Sequence, residues 1–201
     1  MLTSPSQKDA DFLPVGRAAL KLAGAAQAFS YSFQGKVVLD IGSSTGGFTQ
    51  YALHHGASKV IAIEKGTNQM KPPLRFHPKL DLREKTDIFT VHRSNLDAID
   101  VILADVSFVS LTKILNYAKI NLACSHTDFL VMLKPQFEAN PRDLIRGVVK
   151  NETIRRQIIK DFEAWLKFHG FLILKKHDNL LAGKSGNRER FYLLRSAQVK
   201  K

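Results

Sequence analysis

The sequence predicts an α/β fold, a doubly wound, mostly parallel sheet of seven strands with one antiparallel strand near its edge. Strand-length apolar runs alternate with helical stretches along most of the chain, and parallel neighbours require crossover connections of this kind. A glycine-rich loop directly follows the first apolar run. The last two apolar runs have no helix between them that is long enough to cross over. The final pair is therefore expected to be antiparallel.

The first part of the chain predicts a loose leader, a helix and two strands around the glycine loop. Residues 1–15 are polar and partly acidic, and 16–29 (GRAALKLAGAAQAF) are alanine-rich, which favours a helix. A short strand over 37–41 (VVLDI) ends at the loop GSSTGG, and a second helix is expected in FTQYALHH. The next strand is KVIAIE at 59–64. A strand, a glycine turn and a helix in this order form a unit that can cradle a ligand.

The second part continues the alternation and closes with the antiparallel pair. Helices are predicted over 111–121 and 151–168, and a basic loop over 135–150 precedes the second of them. The apolar side of that second helix is expected to consist of Ile154, Ile158, Phe162, Trp165 and Leu166. The remaining strands are expected, in chain order, at 80–84, 100–106, 128–134, 171–177 and 190–196.

Composition predicts a single basic domain, 16–201, after the leader. The 201 residues are enough for one buried core, and no apolar run approaches the ~18 residues needed to span a bilayer. Cys124 is the only cysteine, so an intramolecular disulfide is impossible, and a cytoplasmic location is the simplest interpretation. The formal charge of +12 favours a polyanionic partner such as RNA or DNA.

The first strand ends in an acidic residue and a loop that can hold a nucleoside-bearing cofactor. Asp40 is followed by Gly42, Gly46 and Gly47, whose missing side chains let a ligand approach the backbone at a helix N-terminus. The middle glycine of the dinucleotide fingerprint is replaced by serine, which argues against NAD. Glu64 ends the next strand, where a carboxylate would accept hydrogen bonds from ribose hydroxyls. A tight turn beside a solvated glutamate is the alternative.

Two oppositely charged residues stand at the ends of core strands. Asp105 ends VILAD and Lys134 ends FLVMLK, and the carboxyl ends of parallel strands line the ligand crevice. Their side chains are therefore expected to pair. Desolvation favours a neutral amine, whereas a nearby carboxylate favours a charged one. Lys134 is predicted either to act as a base or only to position a substrate as a cation, and Asp105 can equally be an ordinary turn former.

Several stretches together resemble the FtsJ-like superfamily of S-adenosylmethionine-dependent RNA 2′-O-methyltransferases. They are GRAALKL, KVVLDIGSSTGGFT, ADVSFVSL, LVMLKPQFE, RGVVKNE and GNRE, and they extend over nearly the whole chain. The similarity is strongest to the hemolysin-A-like (TlyA) branch, whose members methylate ribosomal RNA. The resemblance implies the Rossmann-like fold of class I methyltransferases, S-adenosylmethionine as the cofactor, and RNA, as ribosomal RNA or a ribosomal subunit, as the partner.

The resemblance also implies site residues. The family's lysine–aspartate–lysine–glutamate tetrad maps onto Lys21, Asp105, Lys134 and Glu189, although the first and last would otherwise be taken for ordinary solvated residues. The implied cofactor contacts are Asp40, Gly42, Ser43, Gly46, Gly47, Phe48, Glu64, Asp87 and Asp105. Two departures stand out. The serine and two glycines usual around the first helix's arginine are replaced here by one glycine and two alanines around Arg17. The S4 RNA-binding domain with which relatives typically begin is not expected in this chain.

Basic residues around the predicted site are candidates for RNA contacts. They are Arg17, Arg142, Arg146, Lys150 and Arg188, with Arg155 and Arg156 extending the same ridge. Each of them can equally be a solvated side chain. No metal site is expected, because the only close histidines, His54 and His55, are adjacent on a helix and cannot face one ion.

Three alternatives belong to other functional classes. A methyltransferase that acts on a small molecule or a protein would lack salt-dependent RNA binding. An RNA-binding relative without catalysis would transfer no methyl group. A membrane-damaging protein, which the name hemolysin suggests, would need a membrane-inserting segment, and none is evident. We favour the RNA methyltransferase because the charge and all four tetrad positions agree with it. No oligomeric state is predicted.

Overall fold

Helices and strands alternate in the computed structural model, which describes residues 12–179, 181, 183 and 186–196. The strands are β1 (Val37–Ile41), β2 (Lys59–Ile63), β3 (Leu80–Arg83), β4 (Val101–Ala104), β5 (Asp128–Leu133), β6 (Phe171–Asp178) and β7 (Arg190–Ser196). The helices in these residues are α1 (Arg17–Phe29), α2 (Gly47–His54), α3 (Leu111–Asn121), α4 (Pro135–Glu138) and α5 (Glu152–Phe168). Short 3-10 turns lie at Leu74–Phe76, Ile88–Thr90, Arg93–Asn95 and Pro141–Asp143.

These strands form one sheet in the order β3-β2-β1-β4-β5-β7-β6. The pairs among β1 to β5 are parallel, whereas β7 is antiparallel to both β5 and β6. The predicted mostly parallel sheet of seven strands, with one reversed strand next to its edge, is therefore confirmed.

Apolar side chains form a core on each face of the sheet. Successive strand residues point to opposite faces, so Leu39 packs with α3 and α5, whereas Val38 packs with α1 and α2. With helices on both faces, β4 and β5 are buried along their whole length. Continuous apolar strands of this kind are typical of parallel sheets covered on both sides.

The long helix α5 presents a slightly different face to the sheet than predicted. Asn151 caps it, and its side-chain oxygen accepts two backbone N–H groups of the first turn. The buried apolar residues are Ile159, Phe162 and Leu166. The prediction included the last two but missed Ile159, and it assigned the partly buried Ile158 to the core. None of the helices in the described part of the chain is both long and apolar enough to cross a bilayer.

The segment after β5 is more ordered than the predicted loop. The expected strand 128–134 stops one residue early, because Lys134 is the cap residue of the short helix α4. Pro135 occupies the first helical position, where its missing N–H leaves no hydrogen bond unmade. Lys134 is therefore held between a core strand and a helix start, and its backbone has little freedom.

The directions of the strands determine which edge of the sheet carries the candidate site; we call it the candidate site edge. The parallel strands β1, β2, β4 and β5 end at this edge, and the reversed strand β7 begins there. Leu133 pairs with Arg190, so the next residues, Lys134 and Glu189, emerge opposite each other. Ligands of open α/β sheets bind at the carboxyl ends of their parallel strands.

Part of the predicted leader is attached to α2. Phe12 packs edge-on against a tyrosine of that helix, with 5.5 Å between the ring centroids. The N–H of Val15 donates to Gln50 Oε1 at 2.7 Å, and Gln50 Nε2 donates back to a carbonyl of the segment at 2.9 Å. Residues 12–15 are thus held by the domain, whereas 1–11 of the predicted leader lie outside the described residues.

Candidate active site

A cavity of about 710 Å³ opens where β1, β2 and β4 end. Its volume is within the usual range of small-molecule sites. Among the described residues, the wall carries three carboxylates, Glu64, Asp87 and Asp105, and one cation, Lys65. This excess of negative charge favours a ligand with positive charge. No group of three histidine, cysteine, aspartate or glutamate side chains that would hold a metal ion occurs in the described residues.

The glycine loop between β1 and α2 forms part of the cavity wall. Gly42 has φ 79°, and a Cβ built on it would lie 3.3 Å from the backbone oxygen of Asp105. A Cβ on Gly46, which has φ 89°, would lie 2.6 Å from Leu74 and 2.9 Å from Met70. Neither of those two residues lines the cavity. Because these contacts are to the ends of flexible side chains, the positive φ is the main reason for glycine at position 46.

Gly47 lets the first helix approach the second. A Cβ on it would lie 2.8 Å from the Cβ of Ala18 and 2.9 Å from the backbone nitrogen of Ala19. Contacts this short do not occur between real side chains, so only glycine permits the crossing. The crossing brings Lys21, one turn after Ala18, to the candidate site edge.

Glu64 joins the glycine loop to the loop after β2. Its Oε2 accepts the N–H of Ser44 at 2.8 Å, and its Oε1 accepts the N–H of Gly66 at 2.7 Å. Gln69 Nε2 adds a third hydrogen bond at 3.2 Å. Each carboxylate oxygen has two lone pairs. Glu64 therefore keeps acceptor capacity toward the cavity that it lines.

Asp87 lines the cavity at the start of a 3-10 turn. Its Oδ2 pairs with Lys65 Nζ at 3.0 Å, and its Oδ1 accepts the N–H of Phe89 at 3.1 Å. The Lys65 ammonium, and after it the Phe89 N–H, holds the pKa of Asp87 below its usual range. Asp87 is therefore an ionised acceptor at neutral pH.

Lys134 and Asp105 form the expected pair, with 2.7 Å between Nζ and Oδ1. Lys134 Nζ also donates to Ser107 Oγ at 2.9 Å. The side chains of Lys134 and Asp105 are only 13% and 18% exposed. The contact between them is an ion pair whose angles do not suit a hydrogen bond, and Oδ1 has no other hydrogen-bond donor in the described residues. The Lys134 ammonium therefore compensates the charge of this buried oxygen.

Glu138 fixes the two loops that carry this pair. Its carboxylate accepts the Ser110 hydroxyl and the N–H of Leu111, each at 2.6 Å. Both donors lie at the N-terminus of α3, where a carboxylate is favourable. The loop after β4, which contains Asp105, is thereby tied to the turn that follows Lys134.

A second lysine–carboxylate pair lies beside the first. Lys21 Nζ is 2.5 Å from Glu189 Oε2, and the two side chains are 9% and 3% exposed. Asn179 Nδ2 adds a weaker contact to the same oxygen at 3.3 Å. Because Glu189 emerges opposite Lys134, both pairs meet at one edge of the sheet.

Asp40 is fully buried at the end of β1, and half of its carboxylate has no partner. Thr49 Oγ1 donates to its Oδ2 at 2.6 Å. Its Oδ1 and the Oγ of Ser43 are buried without a hydrogen-bond partner in the described residues. Burial raises the pKa of Asp40 to about 7, opposed by the Thr49 hydrogen bond and reinforced by the Asp105 charge.

We expect Asp40→Asn to remove a pH dependence of folding stability. The unfolded carboxyl has a pKa of 3.8, so between about pH 4 and pH 7 the unfolded chain ionises while the folded protein stays protonated. The stability that comes from a carboxyl with a raised pKa in the folded state is fully present below the unfolded pKa, and it is lost as the pH rises through the folded pKa. Each pH unit corresponds to about 1.4 kcal/mol. Denaturant titrations at pH 4 to 7 measure the free energy of unfolding of both proteins. As the pH rises across this window, the value for the variant minus that for the wild type should increase by a few kcal/mol. A difference that stays constant with pH would contradict the expectation.

Arg155 does not belong to the predicted RNA-facing ridge. It is buried at 4% exposure, its Nε donates to the carbonyl of Arg188 at 3.1 Å, and its guanidinium pairs with Asp178 at 2.8 Å. Arg190 pairs with the same carboxylate at 2.7 Å. These guanidinium groups, Arg190 foremost, hold the pKa of Asp178 below its usual range. Arg155 instead ties α5 to β6 and to the residues just before β7.

The family model for FtsJ-like methyltransferases matches residues 14–196, which is nearly all of the described chain. The chain belongs to the FtsJ-like methyltransferase family. Its Rossmann-like methyltransferase fold is thereby confirmed together with the family.

Named relatives of this FtsJ-like methyltransferase lie in the hemolysin-A-like branch. The 23S rRNA (cytidine-2′-O)-methyltransferase TlyA of Campylobacter jejuni is 37% identical over 180 residues, which cover 89% of this chain and 69% of that protein. The 16S/23S rRNA (cytidine-2′-O)-methyltransferase TlyA of Mycobacterium tuberculosis is 33% identical over 184 residues, covering 90% and 68%. A solved structure named as a hemolysin, from Streptococcus thermophilus, has a TM-score of 0.88 at 29% identity and covers 94% of this chain and 69% of that one.

The cofactor contacts predicted for this FtsJ-like methyltransferase fall into two groups. The first lines the cavity and consists of Gly42, Glu64, Asp87 and Asp105. The second is buried behind the cavity wall and consists of Asp40, Ser43, Gly46, Gly47 and Phe48. Within it, the Phe48 ring packs against Phe191 in the core, with 6.0 Å between centroids. The predicted contact of Phe48 is therefore limited to its backbone N–H in the first turn of α2.

The predicted RNA contacts differ in their surroundings. Arg17, Arg142, Arg146 and Lys150 are exposed. Arg188 is exposed as well, but it pairs with Glu152 at 3.1 Å. Their roles stay predictions, and the exposed positions are accessible to a large substrate.

Sequence reasoning missed three residues that shape the site. Ser107 contacts Lys134, Glu138 ties together the loops that carry Asp105 and Lys134, and Thr49 contacts the buried Asp40. A signal for Glu138 was present, because it is an acid next to a strand end whose partner, Ser110, precedes a predicted helix. The other two contacts join residues of different elements or loops, which leaves no local pattern.

Proposed function

We propose that this protein transfers a methyl group from S-adenosylmethionine to a ribose 2′-hydroxyl of ribosomal RNA. One observation carries the proposal, namely that Asp105 lines the cavity beside the glycine loop and also pairs with Lys134. A methyl donor held in the cavity and a base at Lys134 are thus separated by a single side chain. Alignment of donor and acceptor at such short range is the main contribution that an enzyme makes to methyl transfer.

The residues around the cavity fit S-adenosylmethionine. The cofactor carries a sulfonium and an ammonium, and the cavity wall carries an excess of carboxylates. Glu64 would accept hydrogen bonds from the ribose hydroxyls, and Asp87 from the adenine amino group. The glycine loop and the first N–H groups of α2 would hold the methionine carboxylate.

The chain's own residues supply alignment and a route for the proton, while bound S-adenosylmethionine supplies an activated methyl group. Lys134, in the neutral form reached when its ammonium loses one proton to solvent, takes the proton of the 2′-hydroxyl, and Asp105, 2.7 Å away, stabilises the ammonium that is formed again. Ser107 accepts from Lys134 at 2.9 Å and orients its amine. Lys21 and Glu189 hold the ribose, and the Lys21 ammonium stabilises the negative charge that develops on the ribose oxygen.

An RNA substrate is supported by the net charge of +12 and by an aromatic pair in which one ring is exposed and the other is partly buried. Phe108 lines the cavity, is 92% exposed and has φ 64°. Its ring lies 5.2 Å from that of Phe137, centroid to centroid. Single-stranded RNA offers unstacked bases that stack on rings presented in this way. Arg17 and Arg188 flank the same edge, one turn before Lys21 and one residue before Glu189.

The names of the relatives support ribosomal RNA as the substrate. Both TlyA proteins are named as rRNA (cytidine-2′-O)-methyltransferases. We extend that substrate class to this chain, with the ribosomal subunit as its partner and the cytoplasm as its location. The experiment must identify which nucleotide of the ribosomal RNA is modified.

We expect the protein to label ribosomal RNA from cells that lack it when it is supplied with tritiated S-adenosylmethionine. The label should lie on a ribose, at a linkage that resists alkaline hydrolysis, and RNA binding should weaken steeply with added salt. Label in protein or in small molecules instead would support the alternative substrate class. RNA binding without any label would support a non-catalytic relative, and both results would contradict the proposal.

A further inference from the structure

A two-residue turn after α4 carries an arginine in an unfavourable backbone conformation. Ile145 and Val148 exchange backbone hydrogen bonds of 2.9 and 3.1 Å. Between them, Arg146 has φ 51° and Gly147 has φ 77°. Positive φ at both positions is the mark of a type I′ turn, which favours asparagine followed by glycine. A long side chain is disfavoured at the first position, so the turn geometry does not account for the arginine.

The turn is clamped by the side chain of a buried asparagine. Asn187, which is 4% exposed, donates from Nδ2 to the carbonyl of Gly147 at 3.0 Å. Its Oδ1 accepts the N–H of Val149 at 3.1 Å. The amide thus pairs with the backbone as a neighbouring strand would. Because Asn187 stands two residues before Glu189, the turn is connected directly to the candidate catalytic edge.

The surface around the turn is basic. Arg142, Arg146 and Lys150 are all exposed and form no ion pair with a carboxylate of the described residues. Arg188, by contrast, is paired with Glu152 at 3.1 Å. Exposed cations that lack acidic partners are the groups that bind phosphates and release counterions when they do so.

We propose that the Arg146–Gly147 turn is a phosphate-binding arm for the RNA strand, and that Asn187 holds it in register with Glu189. This inference rests on the proposed function, because it names how the same site holds its substrate. The strained arginine presents its guanidinium to a phosphate near the target ribose. The asparagine is a positioning residue that makes no contact with the RNA.

Arg146→Asn tests the arm without damage to the turn, because asparagine is the residue that a type I′ turn prefers. The variant should unfold at a denaturant concentration no lower than that of the wild type. Its affinity for a ribosomal RNA fragment should fall roughly fivefold to tenfold at moderate salt, and the slope of log affinity against log salt should fall by about one. Its affinity for S-adenosylmethionine should not change. Wild-type RNA affinity and slope in this variant would overturn the inference.

Asn187→Ala tests the clamp, because it keeps every cation in the chain. Loss of the clamp should weaken RNA binding about as much as loss of the guanidinium, and the double variant should bind no worse than either single variant. Residues that act through each other give non-additive effects of this kind. Additive losses would overturn the positioning role, because they would show that Asn187 acts independently of Arg146.

Lys167→Gln is the control for net charge. Lys167 is exposed and lies in the last turn of α5, near the start of β6 and therefore at the opposite edge of the sheet. The Lys167→Gln variant should keep an RNA affinity and a salt slope close to those of the wild type. A loss of affinity equal to that of Arg146→Asn would overturn the proposal that the turn is a phosphate-binding arm. If the wild type itself shows no salt-dependent RNA binding, the proposed function fails and the arm with it, which is distinguishable from an unchanged Arg146→Asn variant.

Discussion

Lys134→Ala should abolish methyl transfer, by about 10³-fold or more, while the protein still binds S-adenosylmethionine. A positioned base contributes about 10²–10⁴ in rate, and the truncation also removes the cation that pairs with Asp105 at 2.7 Å. Lys134 does not line the cavity, so cofactor affinity should stay close to that of the wild type. Single-turnover transfer to RNA and calorimetric titration of the cofactor measure the two quantities. Turnover near the wild-type rate would reject any catalytic role for Lys134.

Lys134→Arg separates proton transfer from positioning. A guanidinium stays charged in proteins, so it can maintain the pair with Asp105 but cannot take a proton. If Lys134 acts as the base, the arginine variant should be as inactive as the alanine variant. An arginine variant with substantial activity would show that Lys134 only positions the hydroxyl and polarises it, contrary to the mechanism above.

Lys21→Met should destabilise the protein by about 3–5 kcal/mol, because it leaves the buried carboxylate of Glu189 without its cation. The remaining donor in the described residues, Asn179 Nδ2 at 3.3 Å, is too weak to replace an ammonium at 2.5 Å. The matched control is Lys59→Met. Lys59 pairs with Asp97 at 2.7 Å, but those side chains are 40% and 55% exposed, and an exposed pair contributes less than about 1 kcal/mol. Equal losses of the free energy of unfolding in both variants would contradict the expectation.

The double variant Lys21→Met/Glu189→Met should recover most of that stability without recovering activity. Replacement of a whole buried ion pair by apolar side chains is often neutral or stabilising, because both desolvation penalties disappear. Methyl transfer should remain lost, since the groups proposed to hold the ribose are gone. Denaturant titration and single-turnover transfer together test this. A double variant that regained activity along with stability would show that the pair serves the fold alone.

Much of the fold followed from local patterns. Alternating apolar runs predicted the sheet because strand and helix periods are properties of neighbouring residues. The reversal of β7 followed from the absence of a crossover helix before it. The pairing of Asp105 with Lys134 was expected because both end parallel strands, and such strands end at the same edge of a sheet.

Other parts of the site had no local signal. Lys21 lies in an alanine-rich helix and Glu189 precedes a strand, so only the family resemblance singled them out. Arg155 looked like part of a basic helix start, yet Asp178 on β6 allows it to be buried. Phe48 follows the glycine loop, but its ring belongs to the core. In each of these cases the partner that decides the outcome lies far away in the sequence or on another face of the sheet.

By itself, the sequence determined the succession of strands and helices along the chain, the antiparallel direction of the final strand pair and the charged residues that stand at the strand ends. Only the tertiary structure decided which charges meet. Lys21 and Glu189 are separated by 168 positions in the chain, and they come together because Gly47 permits the close crossing of α1 and α2 and because β7 runs backwards beside β5. A hydrophobic period reports which face of an element is buried, but it carries no information about which distant side chain will share that buried space.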